Sequence, residues 1–352
     1  MKLAVVGATG AVGREIMRIL EERDLGITEL VPVATARSAG RMLTHRGREV
    51  AVVAIGPESF DGVDVAIFDT PDEASLEWAP IAAERGAVVV DNSAAWRMDP
   101  DVPLVVPEIN PEAARDRPKG IIASPNCTML TLVMPLGPLH RRADVRRVIM
   151  SSYQAASGAG QAGADELVEQ TAVVAREPDL VVAGLGREVV SRGQVFAHPL
   201  AMNVIPQIGS VRTNGYTAEE VKVGEETRKV LGLPDLRVTA TCVRVPTVIG
   251  HAVSVHAEFD RAISPDEARA ILREAPGVEV VDDTAAGIYP TPLEAAGRDP
   301  CFVGRIRQDP EDDHALEWFS VTDNLRKGAA LNTIQIAELF VAGVAEWQTR
   351  PA

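Results

Sequence analysis

Three features of the chain predict an α/β fold in two parts. Strands alternate with helical stretches through its first third, a G-x-x-G-x-x-G turn joins the first strand to the first helix, and beyond Cys127 strands follow one another without regular helices between them. The first two predict a Rossmann-like parallel sheet covered by helices on both faces; the third predicts an α+β domain on an antiparallel or mixed sheet. At 352 residues the chain is also too long for one small core, so two domains are expected.

Taken in order, Lys2 to Val6 reads as a buried strand, Gly7 to Gly13 as a tight turn, and Arg14 to Arg23 as a helix by its apolar spacing. Leu30 to Thr35 is a second strand, and Arg41 to Ile55 breaks the alternation as a small hairpin insertion. Val63 to Phe68 is a strand, followed by a helix that Pro71 and Asp72 open and Gly86 closes, then a strand from Ala87 to Val90. Past Cys127, the spacing gives a strand over Val145 to Ser152, a small-residue loop over Ala155 to Gly163 and a helix over Ala164 to Arg176. A helix over Ala218 to Leu231, extended segments over Thr239 to Val245 and His251 to Phe259, and a helix over Pro265 to Glu274 come next. Leu325 to Val344 is an apolar-rich helix expected to return to the first domain. The domains are thus residues 1–127, completed by a C-terminal helix over 325–350, and residues 128–324.

Composition narrows the function classes. A net charge of −15 argues against nucleic acid and anionic membrane as partners, so an anionic ligand must be drawn by a local basic cluster. Three cysteines, Cys127, Cys242 and Cys301, form no metal spacing and cannot all pair, which fits a reducing cytoplasm. The apolar start before the glycine turn is too short for a signal peptide, and no apolar run reaches membrane-spanning length.

Two stretches carry chemistry. In Gly7-Ala-Thr9-Gly10-Ala11-Val12-Gly13 the glycines permit a tight turn and let backbone N–H groups approach a pyrophosphate at a helix start. An ordinary strand-to-helix turn has the same look, but its place at the first strand favours a nucleotide. Where NAD-preferring sites place Asp or Glu after the second strand, this chain has Ala34-Thr-Ala-Arg37-Ser38. Arg37 and Ser38 are suited to a 2′-phosphate, which predicts NADP, although Arg37 also suits a solvated surface. The second stretch is Ser124-Pro-Asn126-Cys127-Thr, a turn feeding a cysteine into an apolar helical run. A cysteine in a helix's first turn meets unpaired N–H groups and the positive dipole end, which favour the reactive thiolate. A small buried apolar residue is the plainer alternative.

Together with these stretches, Arg37-Ser-Ala-Gly40, Tyr153-Gln154-Ala-Ala-Ser157-Gly158-Ala-Gly160, Cys242-Val-Arg244-Val-Pro246 with His251, and Asp323-Asn324-Leu-Arg-Lys-Gly-Ala-Ala resemble the aspartate-β-semialdehyde dehydrogenase family. The match runs in the family's order over nearly the whole length; the cysteine and glutamine motifs are specific, whereas the glycine loop is shared with relatives. The resemblance implies NADPH-dependent reduction of aspartyl-4-phosphate to the semialdehyde with release of phosphate, in lysine, methionine and threonine synthesis. It makes Cys127 the nucleophile, His251 an acid/base titrating near working pH, and Gln154 the amide that fixes the substrate carbonyl or thioester. Arg244 would take the substrate carboxylate in a bidentate contact, Glu219 its ammonium, and Lys222 and Arg97 its phosphate. Asn126 can orient substrate or serve only as a turn residue; Glu219 and Lys222, three apart on one helix, equally suit a surface ion pair. Ser157 and Gly158 would approach the nicotinamide, and Asn324, a natural helix-capping residue, would also return to the cofactor.

Departures from the family pattern are Phe68-Asp69-Thr-Pro71 where Phe-Ser-Ala-Gly is usual, which sets a negative charge beside the cofactor, and Ala-Val after His251 where Ser-Glu is common. The competing readings are N-acetyl-glutamyl-phosphate reductase, whose Pro-Gly-Cys the Pro-Asn-Cys here does not match, the less fitting glyceraldehyde-3-phosphate dehydrogenase, and a non-catalytic nucleotide-binding paralogue. As in the family, the second domain's sheet is expected to carry a subunit interface of a homodimer or homotetramer.

Overall fold

The computed structural model describes residues 1–191 and 193–341. The chain forms two compact units. One holds Met1–Asn126, Glu226–Leu233 and the chain from Arg326 on; the other holds Cys127–Glu225 and Pro234–Leu325. Cys127 thus opens the second unit, where the sequence reading closed the first with it, and Glu226–Leu233 is a return to the first unit that no composition shift announces.

In the first unit the chain runs β1 (Lys2–Val6), α1 (Ala11–Glu22), β2 (Glu29–Ala34), β3 (Met42–His45), β4 (Arg48–Ala51), β5 (Val53–Ala54), β6 (Val65–Phe68), α2 (Asp72–Glu84), β7 (Val88–Asp91) and β8 (Ile121–Ala123). Six strands form a parallel sheet in the order β5-β2-β1-β6-β7-β8. Within the expected hairpin insertion β3 pairs with β4, while β5 leaves it to extend the main sheet beside β2. Apart from Lys2 at the start of β1, the central strands β1 and β6 are apolar, as strands covered on both faces must be. On α1, Ile16, Met17, Ile19 and Leu20 make one apolar stripe that buries against Leu3, Val5 and Ile67. Helix α2 begins after Pro71 with Asp72 and Glu73 in its first turn, where carboxylates meet the positive dipole end.

The second unit runs α3 (Cys127–Ala143), β9 (Val145–Gln154), α4 (Gly160–Val174), α5 (Pro178–Val182), α6 (Gly186–Val189), α7 (Ala218–Leu231, whose later turns belong to the first unit), β10 (Arg237–Arg244), β11 (His251–Phe259), α8 (Pro265–Glu274), β12 (Val278–Val280), α9 (Pro292–Ala295), β13 (Cys301–Gln308) and β14 (Ala315–Thr322). Its sheet has the order β10-β9-β11-β14-β13-β12 and is mixed, with β9–β10 and β12–β13 parallel and the other pairs antiparallel. Helix α3 is buried almost all round, so it carries Pro135 and Pro138 in a core setting and not on an amphipathic surface. Val253, Val255, Ala257 and Phe259 of β11 alternate inward.

The chain then re-enters the first unit through a π-helical turn, Arg326–Ala330, and α10 (Leu331–Val341). The buried Lys327 ammonium holds that turn, donating to Glu108, Asn332 and Gln335 at 2.7, 3.0 and 2.8 Å. Ile334 and Ile336 complete the core of α1. Of the helix expected to continue through residue 344 or 350, residues 342–350 lie outside the described residues. No described helix is long and apolar enough to cross a membrane.

Candidate active site

The first unit offers a backbone cradle. Gly7 leaves β1 with φ 89°, and its N–H is bonded to the Val33 carbonyl at 2.8 Å. A Cβ on Gly7 would lie 2.0 Å from the Asp69 carbonyl oxygen, and one on Gly13 would lie 2.1 Å from the Gly7 oxygen. Only glycine fits at either position. Gly10 caps α1 without a side-chain bond, so the helix start presents its N–H groups beside Thr9, Ala11 and Val12. This is the shape a pyrophosphate requires. The 3-10 turn Ala36–Ser38 follows β2, the strand beside β1, and carries an exposed Arg37 and a buried Ser38. A cationic fork and a hydroxyl at that strand end fit NADP. Asp69 stands next to the cradle, 3.7 Å from a Cβ placed on Gly10, and accepts from the Asn92 amide at 3.0 Å. Burial pushes its carboxyl up, which softens the negative charge expected there.

Arg97 and Asn126 also belong to this unit. The Arg97 guanidinium is buried and donates to the Ser124 and Asn92 carbonyls at 3.0 and 2.8 Å and to Glu226 at 3.2 Å. The Asn126 N–H donates to the same Glu226 carboxylate at 2.6 Å.

In the second unit Cys127 is the first residue of α3 and is half-buried. The other two thiols sit in core: burial pushes Cys242 on β10 up to about 12, and Cys301, also buried, opens β13. Helix α3 is fixed one turn on, where the Thr131 hydroxyl meets the Cys127 carbonyl at 3.1 Å and Thr322 of β14 at 2.6 Å.

Gln154 ends β9 and pairs in register with Arg244, which ends β10. The Gln154 carbonyl accepts from Ser152 at 2.8 Å, and its amide donates to Glu219 at 3.1 Å. Glu219 also accepts from Thr128 at 3.4 Å. Lys222 follows on α7, half-buried. Arg244 donates to the Ala155 carbonyl at 2.7 Å and lies over the Phe196 ring. Burial pulls it below the ordinary guanidinium value, while the charges of Cys127 and Glu219 act the other way.

His251, the first residue of β11, is fully buried, and the sequence expectation for it needs correction. Burial and then the Arg244 charge lower its pKa to about 3, so it does not titrate near neutrality. Its Nδ1 accepts the Ala155 N–H at 3.0 Å, which leaves the proton of the neutral ring on Nε2. Among the described residues no protein group bonds that Nε2. It faces the space above Gly158, where a Cβ would sit 3.0 Å from Nε2 and 2.7 Å from Arg244 Nη1. A hydrogen-bond donor and a cation thus converge on one small gap that glycine keeps open.

Asn324 is also corrected. Its carboxamide does not cap the last helix. It accepts from the Gly250 N–H at 2.8 Å and donates to Ser157 at 2.9 Å, tying the loop before His251 to the glycine loop. Arg244 further lines a cavity of about 460 Å³ with Phe196, His198, Ile205 and Gln207. Sequence reasoning missed Glu226, Thr131, Thr322 and the Ala155 backbone. Glu226 gave no usable signal, since it is one of four glutamates on α7.

The chain is similar to known proteins over almost its whole length. The family model described as semialdehyde dehydrogenase, NAD binding domain matches residues 2–117, and that described as semialdehyde dehydrogenase, dimerisation domain matches residues 136–327. Aspartate-semialdehyde dehydrogenase of Aquifex aeolicus is 47% identical over 342 residues, 97% of this chain and 98% of the relative. The structure of aspartate semialdehyde dehydrogenase II of Vibrio cholerae, complexed with ASA, matches with TM-score 0.90 and 39% identity over 97% of this chain and 98% of its own. That of the Candida albicans enzyme with NADP matches with TM-score 0.73 and 25% identity over 96% of this chain and 98% of its own.

Proposed function

Because this chain belongs to the aspartate-semialdehyde dehydrogenase family, we propose that Cys127, His251, Gln154 and Arg244 perform that family's reaction, with the Gly7–Gly13 turn, Arg37 and Ser38 holding NADP(H). The activity is NADPH-dependent reductive dephosphorylation of L-aspartyl-4-phosphate to L-aspartate-4-semialdehyde. The relatives support this reading over an N-acetyl-glutamyl-phosphate reductase.

The observation that carries the residue assignment is the convergence of His251 Nε2 and Arg244 Nη1 above Gly158. Cys127 attacks the acyl carbonyl through sulfur, phosphate leaves, and a thioester forms. Arg244 binds the α-carboxylate and Glu219 the ammonium, which set the carbonyl against the sulfur. Gln154 is held by Ser152 and Glu219 and orients the acyl group without adding charge. His251 keeps its proton on Nε2, donates to the acyl oxygen as negative charge develops there, and remains neutral between steps. When bound, NADPH supplies the hydride that reduces the thioester. Arg97 and Lys222 serve the phosphate, Asn126 orients the substrate, and Ser157, Gly158 and Asn324 approach the cofactor.

The test is NADP reduction by aspartate semialdehyde and phosphate, run beside N-acetyl-glutamate semialdehyde and beside NAD. Turnover of the acetylated compound alone would overturn the substrate, and a preference for NAD would remove Arg37 and Ser38 from the cofactor site. Arg244→Lys is expected to cut kcat/KM for the semialdehyde about tenfold or more with little effect on NADP, because a point charge cannot replace a planar fork. Equal loss for both would make Arg244 structural.

The enzyme is a homo-oligomer, as its dimerisation-domain match indicates. We take it to be a homodimer using the open face of the mixed sheet, where Tyr153 and Phe319 lie with ring centroids 5.8 Å apart. Light scattering at micromolar concentration tests this. The cytoplasm is the proposed compartment, on the cysteine usage.

A further inference from the structure

We infer that Glu226 is an internal counter-anion for Arg97, and that it sets how tightly the enzyme holds phosphate. This rests on the reading of Arg97 as a phosphate ligand.

Glu226 is 1% exposed on α7, and both of its oxygens are used within the first unit. One lies 3.2 Å from Arg97 Nη1; the other accepts the Asn126 N–H at 2.6 Å. A buried carboxylate needs such partners, because removal from water is costly for an unpaired charge. Arg97 is itself 8% exposed, with Nε and Nη2 fixed on the Ser124 and Asn92 carbonyls. One turn after Glu226, Lys229 donates to the carbonyls of Arg97, Asp99 and Val102 at 2.8, 2.7 and 2.8 Å. Helix α7 therefore grips the Arg97 loop by side chain and backbone together, and pins the residue that precedes the nucleophile in the chain.

The electrostatic consequence has a definite sign. An anion arriving at Arg97 meets a cation already half-neutralised by a carboxylate, and is repelled by that carboxylate. Glu226 lowers phosphate affinity without touching the semialdehyde, and so favours departure of phosphate after acyl transfer. It is a positioning residue that acts through Arg97.

Glu226→Gln is the test, because its amide oxygen can keep the Asn126 N–H bond while the charge is removed. In the oxidative direction the KM for phosphate should fall about tenfold, as expected when a like charge leaves a partly buried site. KM values for the semialdehyde and for NADP should stay within about twofold, and phosphate should inhibit the reductive reaction at correspondingly lower concentration. Glu226→Asp keeps the charge but draws it back by one methylene, so a smaller tightening is expected; it serves alone if the glutamine variant does not fold. An unchanged or raised phosphate KM in the folded variants overturns the proposal, as does a uniform loss across all three ligands. Arg97→Ala separates the two ideas. If it leaves the phosphate KM unchanged, the phosphate reading of Arg97 itself fails; if it raises that KM while Glu226→Gln does nothing, only the counter-anion role fails.

Discussion

The two proposed sites are built by opposite means. At the end of the parallel sheet the binding surface is backbone: Gly7 and Gly13 leave no room for a Cβ, and a helix start presents N–H groups. In the mixed-sheet unit it is side chains, with Gln154 from β9, Arg244 from β10, His251 from β11, Glu219 from α7 and Cys127 from α3. A backbone site depends on what is missing from a short stretch and survives most changes of side-chain chemistry. A side-chain site depends on register and burial, so each of its members has a large and specific effect. Burial also gives the two units different electrostatics: it raises the carboxyls of Asp69 and Asp91 in the first and lowers His251 in the second.

The sharpest way to break this contrast is Cys127→Ala. Phosphate-dependent turnover should fall by about 10⁴-fold or more, while NADP binding measured by fluorescence titration is unchanged. Substantial residual turnover would end the covalent route. Gly158→Ala is next. Its methyl would enter the gap between Arg244 and His251, and kcat/KM for the semialdehyde should drop about 10²- to 10³-fold. Because Gly158 is also placed beside the nicotinamide, a loss of NADP affinity larger than the loss in semialdehyde KM would assign the gap to the cofactor and not the substrate.

The parallel-sheet unit is probed through stability and cofactor affinity. Asp91 is fully buried, bonded by Ser75 and Ser93 at 2.6 Å each, and burial raises its carboxyl from 3.8 to about 6. A raised folded-state value means that its contribution to stability is complete below about 4 and is lost as pH climbs through 6. The span corresponds to about 3 kcal/mol, and Asp91→Asn should remove that slope in denaturant titrations at pH 4 to 7. Parallel pH curves for the two proteins would contradict the burial account. The smallest effect is expected from Asp69→Ser, about threefold tighter NADP binding at neutral pH. The sign follows from removing an acidic group that can only repel the anionic cofactor, and burial, which raises its carboxyl, keeps the effect small; weaker binding in the variant would show that Asp69 organises the turn.

Much of the fold was legible because local signals agreed. The expected ranges of β11, α7 and α8 coincide with the structure, and α1 differs only at its ends. Strands β13 and β14 escaped notice. A bulge between Gly304 and Arg307, with Arg305 at φ 57°, interrupts the period-two pattern of β13, and partnership with β11 gives β14 its place. The loop after Gln154 proved to be a 3-10 turn running straight into α4.

At the site the division is finer. Residue types and motif order singled out Cys127, Gln154, Arg244 and His251 as candidates, but the titration range expected of the imidazole was that of a solvated ring. Full burial and the Ala155 N–H on Nδ1 come from chain as far as 96 positions away, and the Arg244 charge acts only because the turn between β10 and β11 brings it back over the ring. Glu226 reads as one more acidic residue on an acidic helix until Arg97 and the Asn126 N–H are found against it.

The sequence alone determined the two-part α/β architecture, the glycine turn and a cysteine at a helix start, because strand period, turn sterics and helix boundaries are properties of short segments. Tertiary structure alone decided which charges are neutralised, which nitrogen of His251 carries the proton and what Arg97 is paired with. Those depend on desolvation and on contacts across long stretches of chain, 129 positions for Arg97 and Glu226 and 219 for Lys327 and Glu108, and no local pattern encodes them.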